Sequence, residues 1–264
     1  MTLRIYPDLV RQQYDRDGYV VIPTGLPEET LRAARDAEGP LQPEGYHWSD
    51  GPRVFEAWKQ SQAVRDVSWC PAVLSALEVL HDARCRPFQT INFRKGTNQR
   101  LHQDAVHFQT LPLGEIVGVW VAFEPMDEDN GTLCVAPGSH KRGYLCWNRY
   151  MGLRKCEVGK QFEEYKSYEN MIGAAYAPVP IICSAGDAVI WGANLLHGGW
   201  PIKDDSRTRY SQATHYYTDR ARVGWAPMFS NRAAFDFHFK SMRWFDRAGH
   251  RHEQHELADV GLYT

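Results

Sequence analysis

Apolar and polar positions follow two different rhythms along this chain. In the first 38 residues the period is helical: Leu9, Val10 and Tyr14 recur at helix spacing until Asp17-Gly18 stops the run. Tyr19-Val20-Val21-Ile22-Pro23 predicts a short strand. Pro27-Glu28-Glu29 opens a second helix through Ala37, with proline in the first turn. Residues 39–53 read as loop, and two shorter helices follow near 58–66 and 71–82. From residue 86 the texture changes to short β-type runs: Phe88 to Phe93, Ile116 to Phe123, Leu133 to Ala136, Ile181-Ile182, Ala188 to Trp191 and Tyr210 to Tyr217. Turn signals bound them, at Lys95-Gly96, Asp129-Asn130-Gly131, Pro137-Gly138-Ser139 and Ala185-Gly186-Asp187. Supporting helices followed by many short strands predict a mainly β fold with flanking helices, of the barrel or jelly-roll kind.

Two stretches break the rhythm. Residues 141–178 are rich in Lys, Glu, Tyr and Gly and are too long for a plain connection, so a functional segment, for instance a lid, is expected there. The tail is polar and aromatic without clear periodicity. The expected organisation is one domain over 1–264: helical support in 1–85, a jelly-roll core in 86–217 carrying the 141–178 insertion, and a C-terminal tail in 218–264.

Composition narrows the function classes. The chain has 264 residues, 43% hydrophobic and 23% charged, with a net charge of −2, so no whole-chain field draws it to nucleic acid or anionic membranes. The N-terminus has no apolar core of a signal peptide, and no run approaches the roughly 20 apolar residues of a membrane span. The six cysteines form no CxxC pair and read as reduced packing residues of a cytoplasmic protein. Asn130-Gly131-Thr132 fits a glycosylation sequon and reads better as a turn.

Three clusters carry chemistry. His102 and Asp104, two apart on extended chain, point to the same side and can reach one cation. His-x-Asp alone is a weak signal. A second imidazole stands at His197, just after the apolar run Ala188–Trp191. Two His and one carboxylate on one face of a metal leave three positions open, the arrangement of iron(II) oxygenases. The second cluster is Arg207-Thr208-Arg209-Tyr210-Ser211. A guanidinium with a hydroxyl suits the distal carboxylate of 2-oxoglutarate. Arg209 and Ser211 are the candidates; Arg207 shares their face by alternation and reads as a surface residue. The third cluster runs from Asn130 to His140, where His140 is expected to fix a turn. His107 faces either the cavity or a loop. His107 and Phe93 are candidate substrate contacts, and Trp48, Trp58, Trp147 and Tyr168 candidate pocket walls.

The runs HQDAVHF at 102–108, GVWVAFEPMDEDNGTLCVAPGSHKRG at 118–143, GDAVIWGANLLHGGW at 186–200 and TRYSQATHYY at 208–217 together resemble the phytanoyl-CoA dioxygenase family, as does DGYVVIP at 17–23. The resemblance implies a double-stranded β-helix, a cupin-like jelly roll of two facing sheets. It implies iron(II) on His102, Asp104 and His197, with 2-oxoglutarate and O2 as cosubstrates. It also implies cosubstrate contacts from Arg209, Trp120 and, more weakly, Gln89. The family's hydroxyl-bearing residue two positions after the distal His is Gly199 here, and Ser211 is the candidate replacement. The implied activity is hydroxylation of an unactivated C–H bond of a small metabolite or natural-product intermediate, with release of succinate and CO2. Asp104 fills a position that a halogenating relative would leave to halide. Rival readings are a cupin-type metal isomerase or hydrolase, which tend to use three or four His, and a non-catalytic binding protein. The partner expected is a small molecule; the sequence carries no signal for the oligomeric state.

Overall fold

The structure is a computed structural model that describes residues 6–37, 53–145, 158–225, 238–239 and 242–254. Its centre is a six-stranded antiparallel sheet in the order β1-β8-β5-β10-β3-β2, formed by Tyr19–Pro23 (β1), Arg53–Phe55 (β2), Cys85–Phe93 (β3), Ile116–Ala122 (β5), Asp187–Gly192 (β8) and Ser211–Thr218 (β10). A smaller sheet, β7-β6-β9, is built from Leu133–Val135 (β6), Val179–Pro180 (β7) and His197–Gly199 (β9). This is the expected jelly roll. The large sheet takes in two strands, β1 and β2, from the N-terminal segment to which the sequence assigned a supporting role.

β5 explains how the apolar pattern encodes the layers. All seven of its residues are buried, because the strand is covered on both faces. Val117, Val119 and Val121 pack with Ala188 and Ile190 against the helices Glu28–Asp36 (α2), Gln62–Ser68 (α3) and Pro71–His81 (α4), through Leu31, Val64, Val67, Val73 and Leu77. Trp120 and Ala122 point the other way. They meet Val189, Leu133, Val135, Ile181 and Leu195 in the space between the two sheets. A continuous hydrophobic run is therefore two alternating sets read together.

The first helix, Pro7–Asp17 (α1), ends on Gly18, whose φ of 86° is the left-handed region that glycine tolerates. A side chain there would also strike the His140 imidazole, with a Cβ 2.4 Å from Nδ1. His140 fixes its turn as expected: Nε2 lies 3.2 Å from the Asp15 carbonyl, and Asn194 donates to the His140 carbonyl. Asn130 of the sequon is buried and donates to the Pro125 carbonyl, which is the turn reading.

The 141–178 segment contains a helix, Val158–Ala174 (α5). It lies against the His-x-Asp segment: Asn170 accepts from the Leu101 N–H, and Glu169 from the Gln103 N–H at 3.0 Å. Residues 146–157, on which part of the lid expectation falls, lie outside the described residues. The tail holds strands that no periodicity announced. Met242–Phe245 (β13) and Arg251–Gln254 (β14) form a hairpin, while Arg222–Trp225 (β11) pairs with Phe108–Leu111 (β4) and with His238–Phe239 (β12). The hairpin packs on Trp58, whose ring meets Phe245 edge-on, so Trp58 belongs to the core and not to a pocket wall. Trp48 and Trp147 lie outside the described residues.

Candidate active site

His102, Asp104 and His197 meet at one end of the space between the sheets, with one ligand atom from each lying within 4.8 Å of the others. The backbone places the two histidines. His102 and His197 form an antiparallel bridge and exchange both main-chain hydrogen bonds, at 2.9 and 3.0 Å. Directly paired residues share a face, so the imidazoles stand side by side with centroids 4.4 Å apart. Asp104 opens a short 3-10 turn, Asp104–Val106, that turns its carboxylate back towards them. Its Oδ1 lies 3.4 Å from His197 Nε2 and 3.9 Å from His102 Nε2.

The donor set fits a divalent transition metal. Each imidazole has its Nδ1 3.0 Å from a carbonyl, that of Arg100 for His102 and that of Leu195 for His197, which turns both Nε2 atoms towards the Asp104 carboxylate; His102 Nε2 also lies 3.1 Å from the Gln99 side-chain amide nitrogen. Burial, reinforced by His197, pushes His102 down to about 3, so it is neutral as a ligand must be. Burial works against ionisation of Asp104, but His197 and His215 outweigh it and hold the carboxyl well below its ordinary range. Burial would also lower His197; the Asp104 charge and hydrogen bond raise it instead.

The cosubstrate candidates lie along the inner face of β10 and its approach. Arg209 is buried, donating to Ser211 Oγ and to the Lys95 carbonyl at 3.1 Å each. Its guanidinium carbon lies 4.8 Å from the Phe93 ring centre and 5.8 Å from that of Trp120. Arg207 instead grips Asp127 at the surface, at 2.7 and 2.9 Å. The two arginines that strand alternation left equivalent thus differ in burial. Between Arg209 and the metal triad stand Ala213, the smallest inward residue of the strand, and Trp120 opposite it. The Trp120 Nε1 is buried without a hydrogen-bond partner among the described residues. An unpartnered indole N–H beside a small residue fits a polar ligand lying between the guanidinium and the metal.

Gln89 faces the same interior, directly opposite His215. Phe93 sits under Arg209 and so is placed with the cosubstrate candidates, while His107 stands near the metal triad, its ring centroid 6.4 Å from that of His102. Burial lowers His107, as do the nearby His215 and Arg53. Tyr168 lies on α5, with its ring 6.4 Å from Tyr165.

The model of the phytanoyl-CoA dioxygenase (PhyH) family matches residues 14–209, a span that holds the triad and Arg209. The chain belongs to the phytanoyl-CoA dioxygenase family. Among its relatives is phytanoyl-CoA dioxygenase domain-containing protein 1 of Danio rerio, 52% identical over 148 residues, which is 53% of this chain and 46% of that protein. The human peroxisomal phytanoyl-CoA dioxygenase is 36% identical over 107 residues, 40% of this chain and 29% of that one. The matched segments thus span less than half of the length of these relatives. Solved structures share the fold. The non-heme alpha ketoglutarate dependent epimerase SnoN from nogalamycin biosynthesis superposes with a TM-score of 0.62 at 18% identity, covering 85% of this chain and 86% of that one. EctD from S. alaskensis gives 0.60 at 18% identity, covering 89% and 84%.

The fold also accounts for the departure at Gly199. A Cβ there would lie 2.9 Å from the Asn98 backbone nitrogen and 3.0 Å from Thr97 Oγ1, so the site has no room for the hydroxyl-bearing side chain the family places there. Ser211, on the large sheet and hydrogen-bonded to the Arg209 guanidinium, offers a hydroxyl there. Two residues escaped the sequence reading: Trp191, whose Nε1 donates to Asp104 Oδ2 at 2.9 Å, and His215, whose Nε2 lies 3.4 Å from the same oxygen. Trp191 closed an apolar run and His215 sat inside an aromatic one, so neither carried a motif.

Proposed function

We propose that this protein is an iron(II)- and 2-oxoglutarate-dependent oxygenase that hydroxylates a C–H bond of a small metabolite or natural-product intermediate. The observation that carries this reading is one interior face holding both a two-His, one-carboxylate triad and a buried arginine beside an unpartnered indole N–H. His102, Asp104 and His197 would hold the iron. Arg209 and Ser211 would bind the far carboxylate of 2-oxoglutarate, with Trp120 offering its N–H along the way. The chemistry supplied there when iron is bound is activation of O2 at the expense of 2-oxoglutarate: substrate, O2 and 2-oxoglutarate become alcohol, succinate and CO2.

The protein's own contribution is orientation and exclusion of water. Asp104 and His197 are buried and His102 nearly so, Gln103 anchors the loop between the first two ligands by donating to the Gly143 and Asn194 carbonyls, and α5 covers the segment. His107 lines the substrate side. Asp104 supports oxygenation over halogenation, since its carboxylate occupies the position that halide needs. Relatives act on acyl-CoA by name, and fold neighbours work in nogalamycin biosynthesis. The absence of a polybasic run in the sequence favours a small substrate over a CoA thioester. No described helix is long and apolar enough to cross a membrane, and the four described cysteines are free, which fits a reducing compartment such as the cytoplasm.

The test is anaerobic titration with iron(II) and 2-oxoglutarate, followed by a screen of metabolites for stimulated succinate release. A weak visible charge-transfer band that needs both components, and that D104A lacks, is the expected result. Equal succinate release by D104A would sink the assignment.

A further inference from the structure

We propose that Trp191 and His215 are positioning residues that restrict Asp104 to binding metal through a single oxygen. The proposal rests on the iron-site reading above and deepens it. Its basis is a row of residues across three neighbouring strands. Gly118 of β5 stands opposite Trp191 of β8 on one side and opposite His215 of β10 on the other. Paired residues share a face, so all three point between the sheets. Gly118 has no side chain, and the Trp191 ring occupies the space: a Cβ at 118 would lie 2.3 Å from Cε2 and 2.4 Å from Cζ2. The glycine lets the indole lie across the sheet towards His215, and the two nitrogens converge on Asp104 Oδ2.

The two oxygens of Asp104 therefore have different surroundings. Oδ1 faces the Nε2 atoms of His197 and His102, while Oδ2 is held by an indole N–H and faced by an imidazole. Both holders are fixed in turn. The Trp191 ring packs 4.7 Å from that of His197, and the His215 ring is bounded by Phe108 at 5.1 Å and Phe88 at 6.1 Å. His215 Nδ1 is buried with no hydrogen-bond partner among the described residues, so Asp104 is the polar contact this imidazole serves.

The consequence concerns coordination number. Of six positions on an octahedral metal, the triad takes three when the carboxylate binds through one oxygen. A chelating cosubstrate needs two and O2 one. A carboxylate free to chelate through both oxygens would take a fourth and leave the reaction one position short. Trp191 and His215 occupy the oxygen that would do so.

Cobalt(II), added in the absence of any cosubstrate, is the probe. Wild type is compared with D104A, W191F, H215F, H215Q and G118A, with circular dichroism to confirm the fold. The expected result is that W191F and H215F lose roughly 10–100-fold in cobalt affinity, the usual cost of removing a ligand's outer partner. Their cobalt d–d absorption should also change in shape and intensity, which a purely structural role would leave alone. H215Q, which restores an N–H, should recover affinity over H215F, and G118A, which keeps both donors but displaces the indole, should resemble W191F. Unchanged affinity and spectrum in W191F and H215F overturn the clamp, as does an H215Q no better than H215F. If W191F fails to fold, the H215F and H215Q pair decides. A wild type that binds no cobalt, or a D104A that binds it equally well, overturns the metal site itself and the clamp with it.

Discussion

His102 and His197 are joined backbone to backbone, each donating its N–H to the other's carbonyl, at 2.9 and 3.0 Å. The metal site is thus partly a piece of β-sheet, and its geometry depends on how closely two strands approach. Gly198 permits that approach: a Cβ there would lie 2.6 Å from the Gln99 carbonyl oxygen, and backbone cannot move aside as a side-chain tip can. G198A is expected to cost about 1–3 kcal/mol of stability, the usual range for overpacking. It should weaken metal binding as well, because the bridge must open. Urea denaturation and a metal titration check both; a variant with unchanged metal affinity would show that the bridge does not set the ligand spacing.

Arg209 and Arg207 are two residues apart and differ in every respect that matters. R209A removes a buried guanidinium held by Ser211 and Lys95. Hydrogen bonds from a charged donor contribute about 1.5–3 kcal/mol, so the 2-oxoglutarate requirement should rise roughly 10–100-fold. R207A removes a partly exposed, solvent-screened ion pair with Asp127 and should leave that requirement unchanged. Succinate formation against 2-oxoglutarate concentration separates them, and the opposite ranking would exchange their roles.

Glu169 gives the protein a pH-dependent stability. Burial pushes its carboxyl up from an ordinary 4.5 to about 8, only partly offset by the N–H of Gln103. The folded state keeps the proton where the unfolded chain has lost it. Between about pH 4.5 and 8 folding therefore loses stability as pH rises, by an amount on the order of a few kcal/mol, and above that window the loss levels off. E169Q keeps an oxygen acceptor for Gln103 and has nothing to ionise. Its melting temperature should fall less than that of wild type from pH 5 to pH 8; parallel curves for the two proteins would refute the assignment.

D104A should abolish both metal binding and iron-dependent succinate release while leaving the β-sheet signal of circular dichroism in place. The carboxylate lies on a short turn between strands and carries no core packing of its own. A global loss of fold in D104A would mean that the Trp191 and His215 contacts hold the two sheets together rather than the metal.

Most strands of the large sheet, the turns between them and the three triad residues were legible in residue order alone, whereas Arg53–Phe55 and His197–Gly199 showed no strand pattern. An apolar run is a local property, and a strand covered on both faces such as Ile116–Ala122 must show one whichever partners it meets. His-x-Asp and the later His197 were legible because their chemistry is carried by residue type and spacing. The tertiary structure decided what depends on neighbours across strands. Arg209 and Arg207 share a local pattern, and only burial against Phe93 and Trp120 separates them. Gly199 has no side chain because Thr97 and Asn98 fill the space. Arg222–Trp225 pairs with the distant Phe108–Leu111 and needed no apolar period of its own. Trp191, Gly118 and His215 are far apart in the chain and adjacent only because β8, β5 and β10 are hydrogen-bonded in that order. A row across strands leaves no periodic trace along any one of them, since the register that creates it is a property of the folded sheet.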